Sequence, residues 1–371
     1  MTNRHSDKRK ICIVTDAWAP QVNGVVRTLQ SLQGCLKARG YRVYMVTPAL
    51  FRTVPCPTYP EIPLAIDAFW KMSSVLKRID ADAVHIATEG PLGWAARRWC
   101  IKSGMPFTTA YHTAFPEYVA ARTPLSADLL YPLFRRFHAR SSGVLVATPT
   151  VRAQLRAKGF INIVNWTRGV DRNLFQADAD KADWNYAGPV QLYVGRVAVE
   201  KNIEAFLEAD TPGTKVVVGD GPAFDRLKKA FPDVKFLGAL FGQKLAQAYA
   251  SADVFVFPSK TDTFGLVMIE ALACGTPVAA YPVQGPLDVL GADGTGPFDD
   301  WNEPIAALGE DLGISIIEAA LLDRKACSEF AKKYDWDEVA RQFEAAIHWR
   351  PAGAAQPAIQ NSSAGTSQQS S

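Results

Sequence analysis

The sequence is poor in cysteine and histidine, and neither residue type is grouped. Six cysteines and five histidines are spread over 371 residues, without a Cys-x-x-Cys pair or a Cys/His cluster. A disulfide framework or a zinc site needs clustered or regularly spaced ligands, whereas dispersed cysteines are typical of reduced, mostly buried thiols in a cytosolic protein. We therefore expect neither a disulfide-stabilised fold nor a Cys/His metal centre.

Long apolar runs are also missing, although 48% of the residues are hydrophobic. No run approaches the roughly 18 residues that a membrane-spanning helix needs. The basic cluster 8–10 is followed by only a short apolar stretch, 11–15, before Asp16, which is too short for a signal peptide. This stretch is interpreted as a buried first strand, and we expect the protein to stay in the cytoplasm.

A nicotinamide cofactor site has no support in the sequence. The loop after the first predicted strand lacks Gly-x-Gly-x-x-Gly, and the chain has no Tyr-x-x-x-Lys motif. A nicotinamide-dependent enzyme that modifies nucleotide sugars has Rossmann-like halves, but it also needs these motif residues. Such an enzyme is therefore the less favoured alternative for the function of this chain.

Charge is divided unevenly between the two halves of the chain. Residues 1–175 carry 24 Lys or Arg and 10 Asp or Glu, a net charge of +14, whereas residues 176–371 carry 16 and 27, a net charge of −11. The basic residues could serve solubility alone, or the first half could face an anionic partner such as nucleic acid or a membrane surface. No helix-turn-helix, zinc-finger or aromatic stacking motif accompanies them, so nucleic acid is not expected as a partner.

Short apolar runs alternate with helical segments along both halves and predict an α/β fold. Near-continuous apolar strands in β-α-β order are typical of parallel sheets covered on both faces. The predicted strands are 10–15, 42–47, 83–87, 106–110, 143–148 and 161–165 in the first half, and 190–195, 214–218, 234–237, 253–257 and 277–281 in the second.

Two Rossmann-like domains account for this pattern. We predict one Rossmann-like domain over 1–175 and a second over 176–350, with the polar segment 171–189 as the linker. Residues 351–371 are almost all Ala, Gly, Pro, Gln and Ser and are predicted to form a disordered tail. Two such domains place a ligand cleft between their strand ends.

The most specific motif follows the predicted strand 253–257. Asp262 lies in a loop, and a predicted helix from Gly265 carries Glu270 on its apolar face. An unpaired buried carboxylate costs roughly 2–7 kcal/mol, so Glu270 needs a partner, which could be a ligand or simply a backbone donor. The N–H groups of 264–266 would suit a phosphate or sugar hydroxyls. Along a helix, Asp262 and Glu270 are about 12 Å apart, the length of a ribose–diphosphate–hexose ligand.

Three further segments carry candidate binding residues. Arg196 and Lys201 leave the predicted strand 190–195 in a loop and could neutralise a departing diphosphate, although a loop Lys is often only solvated. Gly24 opens a predicted helix and permits close approach of a phosphate, or is simply a turn glycine. His112 follows the strand 106–110 and could orient a sugar hydroxyl or acceptor, or cap a loop.

Together these segments resemble retaining glycosyltransferase family 4, whose fold is GT-B and whose mark is an acidic-x7-Glu motif. This chain reads Asp262-x7-Glu270, with Asp where the family usually has Glu, and the resemblance covers roughly 10–345. It implies that Glu270 binds the nucleotide ribose and that Asp262 with the main chain of Phe264, Gly265 and Leu266 holds the donor sugar.

The same resemblance implies that 1–175 is the acceptor-binding domain and 176–350 the nucleotide-sugar-binding domain, and it implies the remaining residue roles. Arg196 and Lys201 would hold the diphosphate, Gly24 would approach it from the opposite domain, and His112 would lie at the reacting sugar. The family implies retention of configuration with no metal or other cofactor. A donor phosphate oxygen is thought to accept the proton of the incoming hydroxyl.

A looser resemblance points to the sulfolipid-synthase-like subgroup, which includes diacylglycerol glycosyltransferases and also mannosyltransferase relatives. It rests on 55–64, 89–93, 111–113 and 166–171. Within the last segment, Arg168 is a candidate for recognising a carboxylate or sulfonate on the donor sugar.

These resemblances predict the function. We expect a hexose to pass from a nucleotide-diphosphate sugar, with uridine donors favoured, to a lipid acceptor such as diacylglycerol in an anionic membrane surface. A GDP-mannose-dependent mannosyltransferase is the alternative. The enzyme would be peripheral on the cytoplasmic face of the inner membrane, where the apolar and basic stretch 129–140 would lie in the interface, or would only form a half-buried helix.

Overall fold

The computed structural model describes residues 9–21, 23–56, 59–112, 116 and 126–351. The strands are β1 Lys10–Val14, β2 Arg42–Val46, β3 Thr53–Cys56, β4 Tyr59–Ala65, β5 Ala83–Ile86, β6 Phe107–Tyr111, β7 Gly143–Val146, β8 Ile163–Asn165, β9 Val190–Val194, β10 Thr214–Val218, β11 Lys235–Gly238, β12 Val254–Phe257, β13 Val278–Ala280 and β14 Ala306–Leu308. The helices are α1 Gly24–Ala38, α2 Ala68–Ile79, α3 Pro91–Ser103, α4 Ala127–His138, α5 Pro149–Ala157, α6 Ile203–Glu208, α7 Phe224–Ala230, α8 Gly242–Ser251, α9 Leu266–Ala273, α10 Gln284–Leu290, α11 Leu312–Ala319, α12 Arg324–Ala331 and α13 Trp336–Ala346.

The first domain is built on a parallel sheet with the order β2-β1-β5-β6-β7-β8. Its strand β1 shows why the apolar runs are continuous. Cys12 and Val14 pack into the core on one face of the sheet, whereas Ile11 and Ile13 pack into the core on the other. Since helices cover both faces, every position of the strand after Lys10 is apolar.

The second domain repeats the plan with a parallel sheet of order β11-β10-β9-β12-β13-β14. Every strand pair within the two six-stranded sheets is parallel. The predicted α/β architecture of two Rossmann-like domains with parallel sheets is therefore confirmed. The predicted strands also coincide with observed ones to within two residues at each end.

Three strands are absent from the sequence-based prediction. The strands β3 and β4 form an antiparallel hairpin within a proline-rich stretch that is typical of a loop. The edge strand β14 has only three residues, too few to produce a pattern. The segment 171–189, predicted as the linker, contains no helix or strand, but its Phe175 is buried in the core of the second domain.

The last helix, α13, crosses back to the first domain. Trp336, Val339 and Phe343 pack with the β1 side chains Ile11 and Ile13. The last helix therefore packs on the first domain, although in sequence it follows the predicted boundary at residue 176. The predicted tail lies outside the described residues apart from Pro351. No helix in the described part of the chain is long and apolar enough to cross a membrane.

Candidate active site

The helix α9 begins at a turn that favours glycine. Gly265, its N-cap residue, has φ +79° and ψ 73°, in the left-handed region. A Cβ there would lie 2.8 Å from the Phe257 ring and 2.9 Å from Cε of Met268, so the turn also allows close packing. Within the described residues, no acceptor pairs with the N–H groups of Phe264, Gly265 and Leu266. Three donors are therefore available at the positive end of the helix dipole.

Glu270 is buried, and its partners come from both domains. Arg27 of α1 places Nη1 2.7 and 3.0 Å from the two carboxylate oxygens, and the Tyr249 hydroxyl donates a hydrogen bond of 3.0 Å. Burial, together with Glu270, raises the pKa of Tyr249 well above its usual value, so the phenol remains a donor. Burial acts to lower the pKa of Arg27, but Glu270 and Tyr249 raise it on balance. A ligand that uses this carboxylate must displace Arg27 or share the carboxylate with it.

Asp262 lies in the turn before α9 and pairs with a cation from the loop after β9. The Nζ atom of Lys201 is 2.6 and 2.8 Å from its two carboxylate oxygens, and both side chains are about one quarter exposed. In the same loop, Arg196 lies 3.9 Å from Glu200. The structure thus brings Lys201 directly onto the Asp262 carboxylate, whereas Arg196 faces Glu200.

The helix α1 begins next to α9, across the domain boundary. Asn23 caps α1 by accepting a hydrogen bond of 3.0 Å from the N–H of Val26, and Gly24 follows as the first helical residue. A Cβ on Gly24 would lie 3.7 Å from Cδ1 of Leu266 and would meet nothing closer. The first residues of two helices, one from each domain, are therefore neighbours. The side chain of Phe264 is buried against Tyr334, which leaves only its main chain for a ligand.

His112 directly follows β6 and contacts both domains. Arg168 Nη2 lies 3.0 Å from its Nδ1, and Thr263 of the turn before α9 donates a hydrogen bond of 3.2 Å to its main-chain oxygen. Trp166 packs edge-on against the ring, with centroids 5.7 Å apart. Burial, with Arg168 and His85, lowers the pKa of His112 well below its usual value. A neutral imidazole therefore lies beside the turn that carries Asp262. The neighbouring motif residues 113–115, 117 and 118 lie outside the described residues.

The proposed recognition of an acidic sugar by Arg168 is not supported by this geometry. Its side chain is 5% exposed, and Nη1 donates to the main-chain oxygens of Trp166 and Thr167 at 2.9 and 3.0 Å. The guanidinium also lies over the Trp166 ring at 4.5 Å. Its contacts are directed at His112 and the main chain of its own loop.

Sequence reasoning missed three residues that build this site, Arg27, Tyr249 and Gly285, and a fourth, Asp16, that fixes the loop before α3. In the sequence, Arg27 on α1 has the pattern of a solvent-facing cation, and Tyr249 on α8 has that of a core aromatic residue. Gly285 of α10 is needed because a Cβ there would lie 2.4 Å from the main-chain oxygen of Asp262. None of these three positions has a local signal, because each contact joins distant segments.

Asp16 does have a signal, since it is a carboxylate directly after a buried strand. It accepts hydrogen bonds of 2.9 Å from the N–H of Leu92 and from the Thr88 hydroxyl, and so caps α3. Burial raises its pKa to about 6, against the opposing effect of these hydrogen bonds. Its role is to fix the loop before α3 at the strand end.

The chain contains Asp-x-Asp pairs, and the structure shows the partners of two of them. Asp80 and Asp82 both contact Arg350, and Asp335 caps α13 by accepting from the N–H of Asp337. In the described ranges, no group of three or more His, Cys, Asp or Glu side chains is placed to hold a metal ion.

Family models match both domains. The model described as Glycosyltransferase Family 4 matches residues 22–174, and the model described as Glycosyl transferases group 1 matches residues 188–320. Residues 175–187, within the predicted linker, separate the two matches, and between them the matches include every candidate site residue predicted from the sequence.

Curated relatives include GDP-mannose-dependent mannosyltransferases and, as a second group, a sulfoquinovosyl transferase and diacylglycerol glucosyltransferases. A GDP-mannose-dependent alpha-mannosyltransferase of Mycobacterium tuberculosis is 31% identical over 77% of this chain and 82% of its own length. Sulfoquinovosyl transferase SQD2 of Arabidopsis thaliana is 30% identical over 81% of this chain and 64% of its own length. An alpha-monoglucosyldiacylglycerol synthase of Streptococcus pneumoniae is 27% identical over 73% of this chain and 71% of its own length.

Among solved structures, sucrose-phosphate synthase from Thermosynechococcus elongatus superposes with a TM-score of 0.72. The alignment covers 91% of this chain and 98% of that chain at 22% identity, a level that shows the fold alone. Family models match both domains, and relatives of about 30% identity cover most of the chain. The chain therefore belongs to glycosyltransferase family 4, in the subgroup of the sulfoquinovosyl transferase and the diacylglycerol glucosyltransferase, and is a GT-B enzyme with a nucleotide-sugar donor.

Proposed function

We propose that the protein is a metal-independent, retaining hexosyltransferase that makes a glycolipid. It would transfer glucose, glucuronic acid or a related sugar from a nucleotide-diphosphate sugar to a membrane lipid such as diacylglycerol. The observation that carries the catalytic part is the adjacency of the α1 and α9 N-termini at Gly24 and Leu266. On the second-domain side, Asp262 lies in the turn before α9 and Glu270 on the helix itself.

In this proposal, Glu270 accepts hydrogen bonds from the two ribose hydroxyls of the donor. Arg27 contacts both of these acceptor oxygens, so donor binding exchanges one set of hydrogen bonds for another. Asp262 and the N–H groups of 264–266 would hold the hexose hydroxyls. The main chain of 264–266 is fixed by the start of α9, so reorganisation on binding is limited to the side chains that pair with the two carboxylates.

The leaving diphosphate needs its charge neutralised. Lys201 and Arg196 lie in one loop on the second domain, and the N-terminus of the 15-residue helix α1, at Gly24, contributes a positive dipole end from the first. Fixed cations and helix dipoles of this kind stabilise charge as it develops, the task that Mg²⁺ performs in other transferases.

Retention would follow from attack on the same face that the diphosphate leaves. The bond between the anomeric carbon and the phosphate oxygen breaks, and the acceptor oxygen bonds to that carbon. The acceptor proton passes to the departing phosphate oxygen, so no protein carboxylate serves as nucleophile. His112 would hold the reacting sugar in place.

A basic, apolar surface on the first domain supports a lipid acceptor. Leu129, Leu133 and Ile161 are exposed to 69%, 52% and 59%, and three arginines lie among them or close by. A crevice of about 280 Å³ opens beside α4. We name this region the α4 surface, defined by Leu129, Leu133, Ile161, Arg135, Arg136 and Arg140. Exposed leucines beside arginines suit the interface of an anionic membrane.

The name of the Streptococcus pneumoniae relative, a monoglucosyldiacylglycerol synthase, also supports a diacylglycerol acceptor. The enzyme would then work at the cytoplasmic face of the inner membrane as a peripheral protein. The acceptor hydroxyl would reach the cleft from the first domain, the side on which the α4 surface lies.

A GDP-mannose-dependent mannosyltransferase acting on a lipid-linked or polysaccharide acceptor is the second candidate. It is favoured by the 31% identity over 82% of the Mycobacterium tuberculosis relative. The two candidates differ in the nucleotide and in the sugar, so a donor panel separates them.

The test incubates purified protein with mixed membrane lipids and radiolabelled UDP-glucose, UDP-glucuronic acid or GDP-mannose, with EDTA present. We expect label from a uridine donor in a chloroform-soluble product. Glu270→Ala should abolish this product, and Glu318→Ala, an exposed carboxylate on α11, should leave it unchanged.

Each other result has a defined meaning. Label from GDP-mannose only would favour the second candidate, and transfer only to water-soluble acceptors would refute the lipid assignment. Activity that EDTA abolishes and Mg²⁺ restores would refute metal independence. An anomeric configuration inverted in the product would refute retention.

A further inference from the structure

Arg168 is a buried cation without a carboxylate partner in the described part of the chain. Its contacts are two main-chain oxygens of its own loop, the face of Trp166 and the Nδ1 atom of His112. Burial lowers its pKa to about 9, which still leaves the guanidinium charged near neutral pH. A buried charge without a counter-ion is costly, so this arrangement calls for a reason other than stability.

The direction of the hydrogen bond to His112 determines where the imidazole proton lies. A guanidinium has only donors, so Nδ1 of His112, 3.0 Å from Arg168 Nη2, must be the acceptor. A neutral imidazole carries one proton, and with Nδ1 unprotonated that proton is on Nε2. Arg168 therefore selects one tautomer and disfavours the imidazolium form.

The Nε2 atom of His112 is buried and has no hydrogen-bond partner among the described residues. Across the domain boundary, Thr263 fixes the His112 main chain against the turn that carries Asp262. Trp166 contacts the Arg168 guanidinium and packs edge-on against the His85 and His112 rings, which restricts the imidazole orientation. A single N–H donor is thus left beside the candidate sugar site.

The groups that act electrostatically on His112 are Arg168 and His85. His85 is itself neutral, because burial and Arg168 lower its pKa to about 3, and its Nδ1 is engaged by the Thr108 hydroxyl at 2.9 Å. From the second domain, Thr263 contributes only a neutral hydroxyl. Arg168 is therefore the one charge that biases His112 among the described residues.

We propose that Arg168 is a positioning residue that holds His112 as a neutral imidazole with its proton on Nε2. His112 then acts as a hydrogen-bond donor to an oxygen of the donor sugar and not as a base. The use of this hydrogen bond in transfer rests on the proposed function, whereas the protonation state of His112 does not.

The first measurement is the long-range ¹H–¹⁵N spectrum of protein labelled on histidine, with His112 assigned by its loss in His112→Gln. In the wild type, we expect His112 to show an unprotonated Nδ1 and a protonated Nε2 from pH 5 to 8. In Arg168→Met, the two neutral tautomers should mix, because the donor that engages Nδ1 is gone, and the pKa of the ring should rise while burial still opposes protonation. Arg172→Met, an exposed arginine four residues away, should match the wild type.

The second measurement is the pH dependence of transfer with the donor identified above. Arg168→Met should lower kcat about tenfold or more with a smaller change in KM, and the acid limb of the profile should move to higher pH as the pKa of His112 rises. Arg168→Lys, which keeps a charged donor, should restore the Nε2 tautomer and part of kcat.

These measurements separate the two levels of the proposal. An unchanged His112 spectrum in folded Arg168→Met would overturn it, and so would a wild-type ring that titrates between pH 5 and 8. If Arg168→Met fails to fold, Arg168→Lys and Arg168→Gln provide the same comparison with and without charge. The predicted spectra together with no transfer by the wild type would sink the proposed function and leave the assignment of His112 standing.

Discussion

Each carboxylate of the Asp-x7-Glu motif already has a cation in contact with it. Arg27 pairs with Glu270, and Lys201 pairs with Asp262. Glu270 is the more buried of the two carboxylates, and breaking a buried pair by removing one partner typically costs about 3–5 kcal/mol, because a charge is left uncompensated. The pairs therefore orient the carboxylates, and a donor that uses Glu270 has to displace Arg27 or share the carboxylate with it.

Gly24 provides a prediction at this scale. Its Cβ position is 3.7 Å from the nearest side-chain atom, so Gly24→Ala should change the free energy of unfolding by less than about 1 kcal/mol. If donor phosphate approaches Gly24, the added methyl should instead weaken donor binding about tenfold or more. Titration calorimetry with the nucleotide sugar measures this change.

Gly34→Ala on the same helix is the matched control, since its Cβ would meet nothing within 4 Å. The two variants should have similar urea midpoints and different donor affinities. Equal donor affinity in both would show that Gly24 does not approach the donor.

At the scale of elements, the position of the turn before α9 depends on α10, which packs directly against it. Gly285 of α10 lies so close to Asp262 that a Cβ would be 2.4 Å from its main-chain oxygen and 3.7 Å from the Phe264 nitrogen. Backbone cannot give way as a flexible side chain can. The positions of Asp262 and of the N–H groups at the start of α9 are therefore set by α10.

Gly285→Ala should displace this turn. We expect a loss of about 1–3 kcal/mol of stability from overpacking and a fall in kcat/KM of about 100-fold, the size expected for a misplacement of about 1 Å at a catalytic site. The control is Gly34→Ala. A folded Gly285→Ala variant with wild-type kcat/KM would mean that the position of Asp262 is not critical.

For the whole molecule, the two domains are held together by polar contacts near the cleft and by α13. Besides the ion pair of Arg27 with Glu270, α5 contacts the second domain through side-chain hydrogen bonds of 2.6 and 2.9 Å. These bonds join Thr150 to Asp288 and Gln154 to Gln284. Polar contacts of this kind between domains are typical of domains that move relative to each other.

Arg27→Met should open the unliganded molecule and strengthen nucleotide binding. Loss of Arg27 leaves Glu270 without its cation at the contact between the domains and removes the group that competes with the ribose hydroxyls for this carboxylate. We expect a larger radius of gyration by small-angle scattering and a several-fold lower Kd for the nucleotide.

Thr150→Val is the control for loosened domains, because Thr150 contacts the second domain but no candidate donor residue. It should increase the radius of gyration without lowering the Kd. Weaker nucleotide binding in Arg27→Met alone would instead show that Arg27 itself binds the donor.

The charge asymmetry leads to a prediction about membranes. Each basic residue near an anionic surface contributes about 1 kcal/mol to binding, so Arg135→Glu with Arg136→Glu should weaken binding to phosphatidylglycerol vesicles at least tenfold. Lys228→Glu with Lys229→Glu on α7 should have no such effect. Flotation assays at two salt concentrations measure both, and equal binding of the two double variants would exclude the α4 surface as the contact.

Much of the fold and part of the site follow from local sequence. The strand positions were predictable because strands buried on both faces are nearly continuous apolar runs, as in β1. The burial of Glu270, and its need for a partner, follow from its place on an apolar helix face. Gly265 could be recognised as a helix start from its position between a strand and an apolar run.

The identity of the partners could not be predicted in this way. Arg27 and Glu270 are 243 residues apart, and only the packing of one domain on the other brings them into contact. The same holds for Gly285 beneath Asp262. The helix α13 has an ordinary amphipathic pattern, and nothing in it shows which sheet it covers.

By itself, the sequence determined two parallel sheets, the motif helix and the kinds of chemical group available, because periodicity and burial are local properties of the chain. The tertiary structure alone decided which cation holds Glu270, where the last helix packs and which nitrogen of His112 carries the proton. Each of these depends on distances between segments that are remote in sequence, and such distances are fixed only when the domains pack together.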